Sequence, residues 1–212
     1  MEYKLLDMNS YTRKNHFEYF CSMAYPYAGM TVNVDITELY KSIKKKSLPF
    51  FHTMLYVTVN AANGVPELRQ RIKNKEIIEY DRCPASYTLA LEDGTFCYCR
   101  LDCSMPYQEF LEYAEKQQDK AKASSSIEDG ADVDSLFFIS CIPWVSFTSL
   151  VQPVPSPADS NPRITFGKYF QEGDKTLMPI ALLVHHGLAD GLHISQFYKN
   201  FSRVSEELCR QL

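Results

Sequence analysis

The residues best suited to chemistry lie in one short segment, HHGLADG at residues 185–191, with His193 close behind. It follows an apolar, strand-like run over residues 177–184 and precedes an amphipathic, helix-like run. A side chain at such a junction is aimed by a rigid scaffold, which is a common position for functional groups. Imidazole titrates near neutral pH, so a histidine here could take a proton from a hydroxyl group. The segment is therefore the first candidate for a catalytic site.

Two other interpretations of the segment stay open on spacing alone. A metal site would use the histidines and Asp190, but adjacent strand residues point to opposite faces, so His185 and His186 cannot easily share one ion. No cysteine or glutamate completes an obvious ligand set. In the structural interpretation, the histidines are satisfied by hydrogen bonds in the core and Asp190 caps the following helix. The sequence thus predicts no metal site, and leaves a general base and a structural histidine pair as alternatives.

Composition limits the class of protein. A chain of 212 residues with 45% hydrophobic residues can bury a substantial core, which predicts one domain over residues 1–212. The net charge of −4 gives no basic footprint for nucleic acid. No apolar run is long enough for a membrane span, and the N-terminus lacks the pattern of a secretion signal. We therefore expect a cytoplasmic protein without nucleic-acid or membrane partners, whose seven cysteines are free thiols.

The elements that would position the candidate site alternate between strand-like and helix-like patterns. No strict βαβ order and no repeat is visible, which predicts an α/β sandwich with a mixed β-sheet flanked by helices. No Gly-rich phosphate loop supports ATP or dinucleotide chemistry. Residues 10–20 are expected to form the start of a first helix, with Ser10 or Thr12 as its cap. Further helices are expected over residues 50–63 and 107–122 and at the C-terminus, a hairpin over residues 86–101, and strands over residues 76–80, 137–144, 164–169 and 177–184.

The segment HHGLADG matches the H-H-x-x-x-D-G signature of CoA-dependent acyltransferases. More widely, the chain resembles the chloramphenicol acetyltransferase family, because further blocks agree with it in order and spacing. The resemblance implies that family's fold, acetyl-CoA as co-substrate without a metal, and a small-molecule acceptor such as chloramphenicol. It also implies a homotrimer with active sites at the subunit interfaces. The matching blocks are residues 12–17 (TRKNHF), 35–37 (DIT), 67–69 (ELR), 139–147 (ISCIPWVSF), 168–173 (KYFQEG) and 185–190.

The resemblance also assigns roles to single residues. It implies that His186 is the general base, that Ser140 hydrogen-bonds the tetrahedral oxyanion, and that Thr165 holds a water near the transition state. Attack on the thioester would then be direct, without an acyl-enzyme. Asp190 would pair with Arg13 and support the site without taking part in the chemistry, and His185 would be a further supporting residue.

The remaining assignments concern the two substrates. Trp144, Lys168 and Tyr169 lie in blocks that line the CoA tunnel in the family. The acceptor pocket departs from the family pattern, and its expected residues are Phe20, Leu91, Phe138 and His193. Phe20 stands where well-known members have tyrosine, while Leu91 and Phe138 stand where they have amides. Such changes alter which acceptor is favoured. A different small alcohol or amine, and a non-catalytic CoA-binding homologue, therefore remain alternatives to a chloramphenicol acetyltransferase.

Overall fold

Two β-sheets and five α-helices make up the fold, and the computed structural model describes residues 1–212. The strands are β1 (Tyr3–Leu5), β2 (Tyr27–Asp35), β3 (Gln70–Lys73), β4 (Glu76–Tyr80), β5 (Ala85–Ala90), β6 (Phe96–Leu101), β7 (Phe137–Ile142), β8 (Arg163–Gly167), β9 (Phe170–Glu172) and β10 (Lys175–His185). The helices are α1 (Lys14–Cys21), α2 (Thr37–Lys46), α3 (Phe50–Asn63), α4 (Tyr107–Ser124) and α5 (Gly191–Gln211). Short 3-10 turns cover Pro66–Arg69 and Val133–Ser135.

The larger sheet is mixed and places the strands that carry the candidate site side by side. Its order is β2-β10-β8-β7-β5-β6, and β9 pairs with the first residues of β10. Strand β7 runs parallel to both β5 and β8, whereas the other pairings are antiparallel. A smaller antiparallel sheet has the order β1-β4-β3. The predicted mixed sheet with flanking helices is confirmed.

One face of the larger sheet packs on the helices. Alternate residues of each strand point to opposite faces, and Ile139 of β7 and Ile164 of β8 join the 36-residue buried core. Helix α5 contributes Phe197 and Phe201 to the same core, and the apolar helix α3 lies beside it. Strand β10 is buried along nearly its whole length, as its apolar sequence predicts. Ser140, the neighbour of Ile139 on β7, therefore faces away from the helices.

Several predictions about local structure need correction. Neither Ser10 nor Thr12 caps the first helix, because α1 begins at Lys14 with Arg13 in the cap position and no side-chain cap bond. The Ser10 hydroxyl instead donates to Asp7, in a turn before the helix. The short strands β1, β3 and β9 were not predicted, since three or four residues carry too little periodicity. All seven cysteines are free, as expected. Among the helices, none combines the length and apolarity needed to cross a membrane.

A buried guanidinium ties the smaller sheet to the start of β7. Arg71 of β3 is 1% exposed. Its nitrogens donate to the carbonyl oxygens of Asp134 (2.6 Å), Leu136 (2.9 Å) and Leu68 (2.8 Å), and its charge lies 5.7 Å from the ring centre of Phe137. No carboxylate pairs with it, so its burial is compensated by backbone carbonyl groups, the Cys83 sulfur at 3.6 Å and the Phe137 ring. Arg71 thereby sets where β7, the strand of Ser140, enters the sheet.

We expect Arg71→Met to lower the free energy of unfolding by about 3 kcal/mol, because the carbonyl groups around it lose charged donors while methionine fills part of the space. Urea unfolding measures this loss. The matched control is Arg210→Met, at an exposed position near the end of α5, which should change stability by less than about 0.5 kcal/mol. An equally small effect at position 71 would contradict the role given to this side chain.

Candidate active site

The turn that carries His186 is held on both sides by backbone hydrogen bonds. Strand β10 ends with His185 opposite Tyr27 of β2. The next amide, that of His186, donates to the carbonyl oxygen of Pro26 at 2.7 Å, and the amides of Leu188 and Ala189 donate to the carbonyl oxygen of His185 at 2.9 and 3.1 Å. The chain therefore leaves the sheet in one defined turn before α5 begins.

The ring of His186 is fixed by a backbone acceptor and an aromatic neighbour. Its Nδ1 lies 3.1 Å from the carbonyl oxygen of Ala189. Since a carbonyl oxygen can only accept, Nδ1 of the neutral ring must carry the proton, and the lone pair is on Nε2. The ring of Phe20 stacks on the imidazole with 3.9 Å between ring centres and 23° between planes. The geometry therefore presents Nε2 as a proton acceptor.

An ion pair between Arg13 and Asp190 stabilises this turn. Nη1 of Arg13 bonds Oδ2 of Asp190, and Nη2 approaches the carbonyl oxygen of His186 at 3.4 Å. The other carboxylate oxygen caps α5 by accepting from the amide of Leu192 at 3.0 Å. Burial would raise the pKa of Asp190, but the bonds and charge of Arg13 hold that pKa below its ordinary value. Asp190 is therefore an anchored carboxylate, the arrangement expected from the resemblance.

His193 lies beneath this carboxylate and not in the cavity beside Ser140. It is 7% exposed, and its Nδ1 accepts from the amide of Asp190 at 3.1 Å. Its Nε2 lies 3.6 Å from the carboxylate of Glu67. The bond from the Asp190 amide to His193 completes a capping box at the start of α5. The structure thus gives His193, expected in the acceptor pocket, contacts typical of a supporting residue.

His185 is buried on the other side of the strand end. It is 4% exposed, and its Nδ1 accepts from the amide of Gly187 at 3.2 Å. A side chain at Gly187 would come within 3.1 Å of the His185 ring, so this close turn favours glycine. Burial lowers the pKa of His185 to about 4, against a smaller opposite effect of Asp159. The ring is therefore neutral at physiological pH and acts as a hydrogen-bond acceptor.

Ser140 and Thr165 form a second group, which the same chain does not bring to His186. Ser140 of β7 lies opposite Thr165 of β8, which lies opposite Ala181 of β10. His186 follows Ala181 by five residues, which is about 16 Å along the strand direction, and two strand spacings add about 10 Å across the sheet. One proton and one oxyanion cannot be served by groups this far apart.

A cavity of about 410 Å³ lies beside Ser140 on the sheet face away from the helices. Phe138 lines it, together with Arg163, whose guanidinium lies 5.2 Å from the Phe138 ring centre. The other expected pocket residues lie elsewhere. Phe20 stacks on His186, and Leu91 is in the β5–β6 hairpin turn, where its amide donates to the carbonyl oxygen of Thr95 at 2.9 Å. Within one chain, the expected acceptor residues therefore occupy three places: Phe138 lies in the cavity, Leu91 in the hairpin turn, and Phe20 and His193 around the turn of His186.

The expected cofactor residues follow β7 and β8. Trp144 is 78% exposed, and Lys168 is also exposed. Their segments are joined where the amide of Lys168 donates to the carbonyl oxygen of Val145 at 2.9 Å. Tyr169 instead packs into an aromatic group, 5.0 Å from the ring of Tyr40 between centres. Trp144 and Lys168 offer a flat aromatic surface and a cation, groups suited to a nucleotide base and a phosphate.

Sequence reasoning missed a polar network between the cavity and the turn. Asp159 accepts two hydrogen bonds from Arg163, at 2.8 and 2.7 Å, and one from the Tyr27 hydroxyl at 3.0 Å. The Tyr27 ring in turn meets His185 edge to face at 5.8 Å. Arg163 could have indicated this network, since it is the one charged residue of the predominantly apolar strand β8. Asp159 lies in a proline-rich loop that gave no signal.

Comparison with known proteins identifies relatives over almost the whole chain. The family model described as chloramphenicol acetyltransferase matches residues 1–202. A chloramphenicol acetyltransferase from Klebsiella sp is 32% identical over 209 residues, which are 97% of this chain and 94% of the relative. One from Proteus mirabilis is 31% identical over 216 residues, covering 97% and 96% of the two chains. Chloramphenicol acetyltransferase 3 from Escherichia coli is 30% identical over 213 residues, covering 99% and 98%.

Solved structures give the same result for the fold. A chloramphenicol acetyltransferase superposes with a TM-score of 0.88 at 25% identity, covering 96% of this chain and 99% of the other. A dihydrolipoamide acetyltransferase from Azotobacter vinelandii superposes with a TM-score of 0.68 at 14% identity, covering 92% and 86%. The second similarity concerns the fold alone.

The buried His185 gives the stability a specific pH dependence. Between its ordinary pKa of 6.5 and about 4, the unfolded chain binds a proton at this residue that the folded chain does not bind. Acidification through this window therefore favours unfolding. His185→Asn keeps an acceptor for the Gly187 amide but removes the titration. From about pH 7.5 to about pH 5, we expect this variant to lose roughly 2 kcal/mol less stability than the original chain.

Urea unfolding at several pH values measures this difference. The control is His16→Asn at an exposed position of α1, which should keep the original pH dependence. If the free energy of unfolding changed with pH in the same way in the original chain and in His185→Asn, the prediction that His185 is buried and neutral would be wrong.

Proposed function

The chain belongs to the chloramphenicol acetyltransferase family, whose members are acetyl-CoA-dependent acyltransferases, and from this we propose that it transfers an acetyl group from acetyl-CoA to a hydroxyl group of a small acceptor, with His186 as general base. The observation that carries the proposal is the bond between Nδ1 of His186 and the carbonyl oxygen of Ala189, because it leaves Nε2 free to accept a proton. Residues 1–212 act as one acetyltransferase domain, which a single main core supports.

In the proposed reaction, Nε2 of His186 takes the hydroxyl proton as the acceptor oxygen attacks the thioester carbonyl. The negative charge that develops on the carbonyl oxygen is stabilised by a hydrogen bond from the hydroxyl of Ser140, and Thr165 holds a water close by. When the tetrahedral intermediate collapses, the C–S bond breaks and the imidazolium returns the proton to the departing thiolate. Acetyl passes directly between the substrates in a ternary complex, so no acyl-enzyme forms.

Two copies of the chain would have to share each site. The separation of His186 from Ser140 along the sheet supports this arrangement, since neither residue can complete the chemistry within its own chain. Exposed apolar side chains near the sheet edge also support it. Tyr25 is 53% exposed and Met30 42% exposed, and both line a hollow together with Leu150. We propose a homotrimer, in which a closed ring lets every chain give His186 to one neighbour and Ser140 to the other.

Acetyl-CoA would lie near the segments of Trp144 and Lys168, with Tyr169 and its aromatic neighbours forming a further wall. Chloramphenicol is the first acceptor to test, because the relatives carry its name. A different small alcohol or amine is the second candidate, which Phe20 and Phe138 favour by replacing polar groups of the family pattern. A CoA-binding homologue without activity is disfavoured by the intact turn around His186. A cytoplasmic location stays a prediction.

Replacing His186 by alanine tests the proposed base. We expect His186→Ala to lower the rate of CoA thiol release from acetyl-CoA and chloramphenicol by about 10²–10⁴-fold, the usual loss for a general base. A chromogenic disulfide reagent follows the free thiol. The control His16→Ala, at an exposed position of α1, should keep the original rate. Unchanged turnover in His186→Ala would remove this residue from the mechanism.

Mixed oligomers test the shared site directly. His186→Ala and Ser140→Ala should each be strongly impaired alone, whereas co-expression should restore activity. If each site takes its two residues from different chains, random mixing leaves about a quarter of the sites in a trimer with both residues intact. Tagging each variant differently and purifying the doubly tagged species isolates the mixed oligomers.

Recovery to a substantial fraction of the original rate is the expected outcome. If both residues of a site came from one chain, every site in the mixture would carry a substitution, and the rate would stay at the level of the single variants. Mixing two batches of the same variant is the matched control.

A further inference from the structure

The cavity beside Ser140 contains a carboxylate that no cation neutralises. Asp129 lies on the loop after α4 and lines this cavity. Its Oδ1 accepts a hydrogen bond from the hydroxyl of Ser86, a buried residue of β5. Its Oδ2 receives no hydrogen bond, and no lysine, arginine or histidine nitrogen lies within salt-bridge distance of it. One negatively charged oxygen is thus held in place by the sheet and left open to the cavity.

The positive groups nearby form no salt bridge with this carboxylate. Arg163 lines the cavity too, but Asp159 binds its guanidinium through both oxygens, at 2.8 and 2.7 Å. Arg100 lies opposite Ser86 in the β5–β6 pairing, but its Nη2 approaches the hydroxyl of Ser135 at 3.5 Å and forms no salt bridge with Asp129. Burial raises the pKa of Asp129 above its ordinary value, and the Ser86 bond and the field of Arg100 oppose this shift only in part. Asp129 is therefore the one charged lining residue of this cavity without a salt-bridge partner.

Aromatic rings surround the same space. The rings of Phe96, Tyr98 and Phe138 line the cavity, whereas the ring of Tyr87 packs on Phe51 of α3 on the helix side of the sheet. The rings of Phe96 and Tyr98 stack with 6.0 Å between centres and 28° between planes. Phe138 already has the Arg163 cation over its ring, so Phe96 and Tyr98 on β6 are the rings still free for a ligand. Aromatic faces beside a carboxylate are the combination that recognises organic ammonium groups.

The sheet register shows how far Ser86, which binds this carboxylate, lies from Ser140. Ser86, which holds Asp129, lies opposite Phe138, two residues from Ser140 on β7. The Cα atoms of Ser86 and Ser140 are therefore separated by two residues along a strand and one strand spacing across the sheet, which is roughly 8 Å. A ligand that reached both groups would carry its hydroxyl and its positive charge several bonds apart.

We propose that Asp129 is a specificity-determining residue, and that the preferred acceptor is a cationic alcohol whose ammonium group lies between Asp129 and the rings of Phe96 and Tyr98 while its hydroxyl is acetylated near Ser140. This proposal rests on the acetyltransferase function proposed above. The preferred acceptor would carry a positive charge, because a neutral group in this cavity would leave the Asp129 carboxylate without a partner.

A pair of acceptors of the same shape tests the proposal. One is a primary alcohol with a trimethylammonium group about five carbons away, and the other is its tert-butyl analogue. For the original chain we expect kcat/KM to be at least about tenfold higher for the cation, a preference typical of one charge-assisted contact. Asp129→Asn should lower kcat/KM for the cationic alcohol and leave kcat/KM for the neutral analogue unchanged, so that the preference disappears. The control Glu128→Gln, at an exposed neighbouring position, should keep the preference.

A second measurement needs no variant. Raising the salt concentration should lower kcat/KM for the cationic alcohol and leave the value for the neutral analogue unchanged. Calorimetric titration of each alcohol into the protein gives the same comparison without turnover. Equal kcat/KM and equal affinity for the two alcohols in the original chain, or a preference that survives in Asp129→Asn, would overturn the proposal.

The outcomes also separate this proposal from the acetyltransferase function. Acetylation of chloramphenicol and of both alcohols with equal efficiency would keep the enzyme and remove the cation preference. Absence of thiol release with every acceptor, while the cationic alcohol still binds more tightly than its analogue and Asp129→Asn removes the difference, would keep the cation site and remove the reaction.

Discussion

The ion pair between Arg13 and Asp190 is the contact on which the candidate site depends. Asp190 caps α5 with one carboxylate oxygen and binds Arg13 with the other, and Arg13 also reaches the carbonyl group of His186. The turn between β10 and α5 is therefore fixed at both ends. Within it, the carbonyl oxygen of Ala189 can face Nδ1 of His186 and set its tautomer. In the proposed mechanism, this ion pair takes no part in the chemistry but holds the turn in which Nε2 of His186 is left without a hydrogen-bond partner.

The sheet imposes the second constraint. Strand register separates His186 from Ser140 by a distance that side-chain movement cannot close, although the family resemblance gives both residues roles in one reaction. The proposed homotrimer would resolve this conflict, since a neighbouring copy would supply the missing half. The cavity with Asp129 belongs to the half that carries Ser140. Acceptor specificity and proton transfer would then be contributed by different chains of the same oligomer.

The sequence was most informative where patterns are long. The apolar run of β10, the long apolar stretch over residues 50–63 and the amphipathic run of α5 predicted their elements, because burial of a whole face leaves a strong signal. The resemblance named Arg13 and Asp190, which form the expected ion pair. Contacts between distant loops left no signal. Asp129 lies in a polar, low-complexity loop, and only the folded chain shows that it bonds Ser86 beside Ser140.

The most direct test of the account is the tautomer of His186, measured by ¹⁵N NMR on the protein with labelled histidine, with His186→Ala assigning the signals. Long-range proton–nitrogen correlations distinguish the two neutral forms of the ring. We predict a protonated Nδ1 and an unprotonated Nε2 at a pH where the ring is neutral. A proton on Nε2 with a bare Nδ1 would contradict the account, because the nitrogen assigned to the acceptor's proton would already carry one.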